Sequence, residues 1–342
     1  MRITIIGIDL AKNIFHFHGV DKNGRIVLKK KLGRNKVLEF MVNTPPCLVG
    51  IEACGGSHYW ARELVKLGHE VKMISPQFVK PYVKTNKNDH ADAEAICEAV
   101  SRPSMRFVPV KQVEQQDILS IHRVRQRLIK QRTALSNQVR GLLHEYGVVI
   151  ALGNASLRKK LPELVSPENE DLTPMSKALF RSLLDEFYEL ETKIEQQEQR
   201  LKEYYKLDSR CALLTTIPGV GLITVTSMVA SIGNGKEFEN GRQLSAWLGL
   251  VPKQHSTGGK ERLLGISKRG DKYLRSLLVH GARAVFYATK RKSHKETGLT
   301  RWIKQLDKRR GPNKTVVAIA NKIARAIWAI LNTGELYRAE TM

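Results

Sequence analysis

The spacing of apolar residues changes once along this chain, and that change limits what it can fold into. Up to about residue 114 the apolar runs are short and end at turn signals. "RITIIGIDL", "IFHFHGV", "RIVLKKKL", "CLVGIEA" and "EVKMIS" each read as a strand, and "DKNG" reads as the turn joining the second to the third. Helical spacing appears near residues 36–42. It appears again in "SHYWARELVKLG", which has a Ser cap candidate and a terminal Gly. Three strands in a meander, followed by alternating helices and strands, predict an α/β layer fold.

Over residues 115–146 the pattern becomes long and helical, with Ile121, Leu128, Leu135 and Leu142 recurring every seven positions. A Pro- and Asn-containing connection is expected over roughly 153–174. A second long helix follows. Phe180, Phe187, Ile194 and Leu201 form one heptad line, and Leu183, Leu190, Gln197 and Tyr204 form the other. Two mostly apolar lines over 176–206 predict a coiled coil, with Gln197 as the buried polar residue that sets register. The same pattern also suits an intramolecular hairpin with the 115–146 helix. The expected division is therefore 1–114, 115–207 and a mostly α-helical 208–342.

Charge follows the same division. The chain has 342 residues, 57 Lys plus Arg and 33 Asp plus Glu, for a net charge of +24. By segment the net charge is +11 over 1–150, −2 over 151–207 and +15 over 208–342. Two basic modules around a near-neutral middle suit a polyanionic partner, nucleic acid first and an anionic membrane surface second. On the 115–146 helix, Arg123, Arg125, Arg127, Lys130, Arg132 and Arg140 could run along a phosphate backbone or form a solvated face. The four cysteines include no CxxC pair, which disfavours a zinc site or disulfide framework and reads as a cytoplasmic chain. The opening apolar run is too short for a signal peptide and meets Asp9 early. The late run "TVVAIANKIARAIWAIL" is broken by Lys322 and Arg325, so it reads as an amphipathic helix rather than a membrane span.

Against this surplus of positive charge, four acids stand out. Asp9 and Glu52 lie near the C-terminal ends of two expected strands. Asp89 and Asp92, three apart, share one face at the start of an expected helix. In an open α/β sheet such strand ends converge on one crevice, where four carboxylates would repel unless a cation compensated them. Oxygen ligands favour Mg²⁺, with Mn²⁺ as the alternative, and metal-assisted chemistry on phosphorus. The bland reading of Asp89 and Asp92 is an acidic first turn that suits the helix dipole. The ordered set, strand Asp, strand Glu and helix Asp-x-x-Asp, resembles the Asp-Glu-Asp-Asp (DEDD) catalytic domain of the RuvC-like fold, a ribonuclease H relative.

The last module opens with "LLTTIPGVGLITVTSMVASIG". Its "IPGVG" turn resembles a helix-hairpin-helix, in which Gly219 and Gly221 would let backbone N–H groups approach phosphate. Next comes "GLVPKQHSTGGKERLLGISKRGDKYLR", where Ser256 sits in a loop with Lys260, Arg262, Lys268 and Arg269. A hydroxyl in such a loop could attack phosphorus while the cations stabilise developing charge. From the residues alone it is as readily a turn serine.

The order DEDD domain, helical middle, "IPGVG" and the basic serine loop resembles the insertion-sequence transposases of the IS110 family, in its IS1111-type branch. The likeness spans nearly the whole chain. It implies a site-specific DNA recombinase with metal-binding roles at Asp9, Glu52, Asp89 and Asp92. It further implies a nucleophile at Ser256 that forms a 5′-phosphoserine link to DNA, and a guide RNA encoded by the element. It also implies a homo-dimer or tetramer in which acidic and serine modules of different subunits cooperate. Two other readings stand beside it. A metal-only nuclease of the Holliday-junction type would leave hydrolysed ends and no covalent complex. A non-catalytic nucleic-acid-binding protein would be indifferent to loss of Asp9.

Overall fold

The computed structural model describes residues 2–84, 88–291 and 296–338. The chain forms two compact units, Met1–Val113 and Glu114–Met342.

In the first unit the short apolar runs form strands β1 (Ile5–Leu10), β2 (Ile14–Val20), β3 (Ile26–Gly33), β4 (Leu48–Glu52), β5 (Glu70–Ile74) and β6 (Phe107–Val108). Helices α1 (Val37–Val42), α2 (Ser57–Lys66), α3 (Pro76–Val79) and α4 (Asp89–Val100) accompany them. The strands make one mixed sheet in the order β3-β2-β1-β4-β5-β6. The β1, β2 and β3 meander is antiparallel, β1, β4 and β5 run parallel, and β6 closes the edge antiparallel. The two-residue β6 had no signal in the sequence because it is too short to show a period. On one sheet face Ile6, Ile8, Val49 and Ile51 pack with Met41, Trp60 and Leu64 from α1 and α2. On the other, α4 contributes Ala95, Ile96, Ala99 and Val100 to a second core with Ile74 and Val79.

Two glycines let α4 lie on the sheet. Gly7 and Gly50 are direct partners across β1 and β4. A Cβ on Gly7 would stand 2.2 Å from the carbonyl oxygen of Ala93, and one on Gly50 would stand 2.8 Å from Val100 Cβ. Side chains two apart on a strand share a face. Asp9 and Glu52, two beyond these glycines, therefore lie on the α4 side of the sheet.

Among the described residues the second unit is helical apart from one hairpin. Its helices are α5 (Val113–His144), α6 (Asn154–Leu164), α7 (Pro174–Leu207), α8 (Ser209–Thr215), α9 (Leu222–Ile232), α10 (Gly241–Trp247), α11 (Lys272–Thr289), α12 (Gly298–Arg310) and α13 (Pro312–Thr333). Strands β7 (Pro252–Gln254) and β8 (Leu263–Ile266) form the hairpin. Helices α5 and α7 pack within the chain. Leu128, Leu135, Val139 and Leu143 share a core with Phe180, Leu184, Phe187, Leu190 and Ile194. Arg125 pairs with Glu198 at 2.6 Å and Arg132 with Glu191 at 3.3 Å, so the two helices run antiparallel.

Three details depart from the sequence expectation. Leu142 is exposed, while Val139 and Leu143 are buried. A straight helix drifts about 20° per heptad, so a strict seven-residue stripe leaves the contact face. Gln197 is buried, but among the described residues it accepts from Arg200 Nη1 and donates to the Lys193 carbonyl, both on its own helix, rather than bonding across a seam. The stretch expected as a connection holds α6, because Leu157, Leu161 and Leu164 form one buried face at helical spacing.

The "IPGVG" turn does join two helices, α8 and α9. Gly219 has φ +81°, and a Cβ there would lie 2.6 Å from the Gly281 carbonyl oxygen of α11. Close helix packing accounts for that glycine. Gly221 caps α9 with open space around it. Helix α13 is long and apolar enough to cross a membrane by length and composition, yet half of that stretch is buried in the core beside α11 and α10.

Candidate active site

Asp9, Asp89 and Asp92 converge. Each offers a carboxylate oxygen, and those oxygens lie within 4.8 Å of one another. The sequence sets this up locally. Asp9 is the penultimate residue of β1, and α4 begins at Asp89 with Asn88 as its cap, its side chain accepting from Ala91 N at 2.8 Å. The close seat of α4 over Gly7 brings the first turn of the helix to the strand end. Glu52 is not one of that group of three. It ends β4 on the neighbouring strand, with Ile51 registered against Ile8.

The surroundings fit an oxygen-only donor set. Cys54, just past β4, has its thiol pushed up by desolvation first and then by the negative charges of Glu52 and Asp9. His90 is held below its ordinary value by desolvation, with His16 and Lys29 adding to the effect. Like charges within 4.8 Å repel, and three carboxylates without a soft ligand suit a hard divalent cation.

Ser256 lies in the second unit on the β7–β8 hairpin. Lys260 N donates to the Thr257 carbonyl at 3.0 Å, closing a tight turn over Gly258 (φ +55°) and Gly259 (φ +75°). Paired positive φ values fit the Gly-Gly sequence of such a turn. Ser256 is one residue outside it, exposed, and Gln254 Nε2 donates to its Oγ at 3.0 Å. Lys260, Arg262, Lys268 and Arg269 are exposed along the same hairpin and its exit. The tip residues are exposed, whereas the base is pinned. Ser267 N donates to Val251 O at 2.8 Å, and Arg275 Nη1 donates to the carbonyls of Leu248 and Arg269, both at 3.0 Å. Ser267, the other serine of this segment, sits at that pinned base.

Both regions fall within stretches shared with known proteins. A DEDD-type IS110 transposase profile matches residues 6–148, which include all four acids. A second profile, described as the transposase IS116/IS110/IS902 family, matches residues 211–297, which include Ser256. A probable family 20 transposase of Pseudomonas aeruginosa is 49% identical over 99% of both chains. The chain belongs to this transposase family. The transposase of insertion sequence IS1111A from Coxiella burnetii is 45% identical, over 98% of this chain and 92% of its own. That of IS1328 from Yersinia enterocolitica is 42% identical over 98% of both. The transposase is accordingly an insertion-sequence enzyme of the class that cuts and transfers DNA strands.

The six cations of α5 separate into two sets. In this transposase Arg125 and Arg132 are tied to Glu198 and Glu191, and Arg140 donates to the carbonyls of Ser136, Ala151 and Gly153. These three hold the helices and the following loop together. Arg123, Arg127 and Lys130 are exposed, and Arg127 Nη1 donates to Gln131 Oε1 at 2.8 Å.

Sequence reasoning passed over two histidines. His122 is 1% exposed, its Nδ1 lying 3.1 Å from Tyr273 Oη and its Nε2 3.0 Å from Thr226 Oγ1. Burial, and then Arg125, lower its pKa to about 4, so it serves as a neutral tie among α5, α9 and α11. His16 lies beside the acids on β2. The only signal for either was an ionisable residue inside an apolar pattern, which is seldom informative without a contact.

Proposed function

We propose that this transposase cuts and rejoins DNA through a phosphoserine intermediate, with a divalent cation, Mg²⁺ or Mn²⁺, held by Asp9, Asp89 and Asp92 and supported by Glu52. The observation that carries the reading is the convergence of three carboxylates within 4.8 Å in a chain of net charge +24. When bound, the cation would supply charge neutralisation at the scissile phosphate. The carboxylates would hold it, and Gly7 and Gly50 let α4 approach the strands that carry Asp9 and Glu52.

Ser256 is the nucleophile in this reading. Its Oγ forms a bond to phosphorus as the P–O3′ bond breaks. The hydroxyl proton leaves, and the departing 3′ oxygen takes one up. Gln254, donating to Oγ, orients the hydroxyl and leaves its hydrogen free to depart. Attack by a 3′-hydroxyl of another strand then restores serine, so bond energy is conserved and no nucleotide cofactor is required. Lys260, Arg262, Lys268 and Arg269 stabilise phosphate charge around it. We further infer that an RNA encoded by the element guides the enzyme, held by the first module and the free face of α5, and that a homo-dimer or tetramer acts. Functionally the chain divides at 1–114, 115–207 and 208–342.

The test is covalent capture. Wild type with cleavable DNA and Mg²⁺ should give a protein–DNA adduct on denaturing gels. Ser256→Ala should still bind nucleic acid and give none. An adduct that persists in this variant removes Ser256 as the nucleophile. Sequencing the nucleic acid that co-purifies with the enzyme tests the RNA, since recovery of DNA alone would count against a guide.

A further inference from the structure

His16 is registered directly against Asp9 across the β1–β2 ladder, so the two side chains stand on the same face of the sheet. Its side chain is 7% exposed, and among the described residues its Nδ1 is sealed from water with no hydrogen-bond partner. Buried polar nitrogens are nearly always paired, and an exception calls for an explanation. Here the atom faces Asp89 Oδ2 at 3.7 Å, just beyond hydrogen-bond reach. The ring cannot readily turn elsewhere. Strand pairing fixes its backbone, and the His90 ring packs edge-on against it with centroids 4.7 Å apart.

Asp89 is the opposite case. Its side chain is 65% exposed, and it is the first residue of α4. A rigid buried donor thus faces a loosely held carboxylate. We propose that His16 is a positioning residue for the acidic cluster: its Nδ1–H donates to one oxygen of Asp89 and so presents the other to the divalent cation. This inference rests on the metal reading of Asp9, Asp89 and Asp92. Such a donor lowers the entropy lost when the carboxylate is ordered, and it selects one of the two oxygens. Outer partners of this kind set the orientation of metal ligands, and losing one typically costs about 10–100-fold in affinity.

The experiment is Mn²⁺ binding by calorimetry on the full-length protein, comparing wild type with His16→Phe, His16→Asn and Asp9→Asn. His16→Phe fills the space without a donor and should weaken binding by about 10–100-fold. His16→Asn places an amide donor near the position of Nδ1 and should stay close to wild type. Wild-type affinity in His16→Phe, together with lost binding in Asp9→Asn, overturns the role of His16 and leaves the metal reading standing. Equal weakening in the Phe and Asn variants overturns the donor role. Undiminished binding in Asp9→Asn overturns the metal reading beneath it. A second measurement covers a misfolded variant. In ¹⁵N-histidine-labelled wild type, Mg²⁺ should shift the His16 Nδ1 resonance and leave those of His122 in place, and an unmoved His16 signal overturns the proposal.

Discussion

The acidic cluster and the serine hairpin are built in opposite ways. The acids stand on strand ends and a helix start that press against each other through two glycines, with the buried His16 beside them. The serine stands on a two-stranded hairpin whose residues are nearly all exposed, Leu263 and Leu264 included at 64% and 46%. An isolated hairpin is marginal in water, and this one is held through hydrogen bonds at its base. One region is organised before substrate arrives. The other is anchored at its base and, under the proposed mechanism, would be completed by the nucleic acid it takes up. Under the proposed mechanism that difference would help, because charge must be placed accurately while a nucleophile must reach a bulky polymer.

The largest effect should fall on chemistry. Asp9→Asn and Ser256→Ala should each reduce strand cleavage by on the order of 10⁴-fold or more, since groups that act as a unit fail together. Only the serine variant should leave Mn²⁺ binding intact, and neither should lower the melting temperature much. A Ser256→Ala protein that melts early would break the comparison, because an exposed tip should contribute little to stability.

Next comes the glycine contact. Gly7→Ala puts a Cβ against the Ala93 carbonyl and should cost about 3 kcal/mol in urea unfolding while weakening Mn²⁺ binding. Gly259→Ala meets open space and only backbone strain, so about 1 kcal/mol is expected. Equal costs would show that the hairpin is as closely fitted as the acid site.

A third effect separates the frame of the second unit from its hairpin. His122 has a folded pKa of about 4, below its ordinary 6.5. As pH falls from 6.5 towards 4 the unfolded chain takes up a proton that the folded chain refuses, so stability present above pH 6.5 is lost. The loss should approach about 3 kcal/mol by pH 4. Denaturant midpoints against pH would measure it, and His122→Asn should lack that part of the slope.

The smallest effect concerns α5. Arg127→Ala should lower the salt dependence of nucleic-acid binding by about one unit of log–log slope while leaving stability within about 0.5 kcal/mol. Arg125→Ala should do the reverse, lowering stability by about 1 kcal/mol because a half-buried pair with Glu198 is lost. A shared outcome would mean that the ion pairs open when nucleic acid binds.

Much of the fold was legible. The first five strands, the glycine stop of α2 and the long helices followed from local pattern, because burial on one face imposes a period that survives any tertiary detail, whereas the expected Ser cap of α2 did not hold, since Gly56 caps that helix and Ser57 is its first residue. Asp9 and Asp89 could be placed at element ends for the same reason. The serine hairpin was legible only as a polar loop, since strands this short and exposed carry no alternation. The division of the α5 cations was not legible at all. Arg125 and Arg127 look alike in sequence, and only the presence of Glu198 across the helix pair separates them.

By itself, then, the order of residues determined the α/β-then-helical plan, the excess of positive charge and the types of group available for chemistry. These depend on local spacing and on totals. Tertiary structure decided which groups meet: α4 seated over Gly7 and Gly50, three aspartates brought to one point, and His16 turned towards Asp89. Those are contacts between residues tens of positions apart, and no local period encodes them because each depends on how two separately formed surfaces fit.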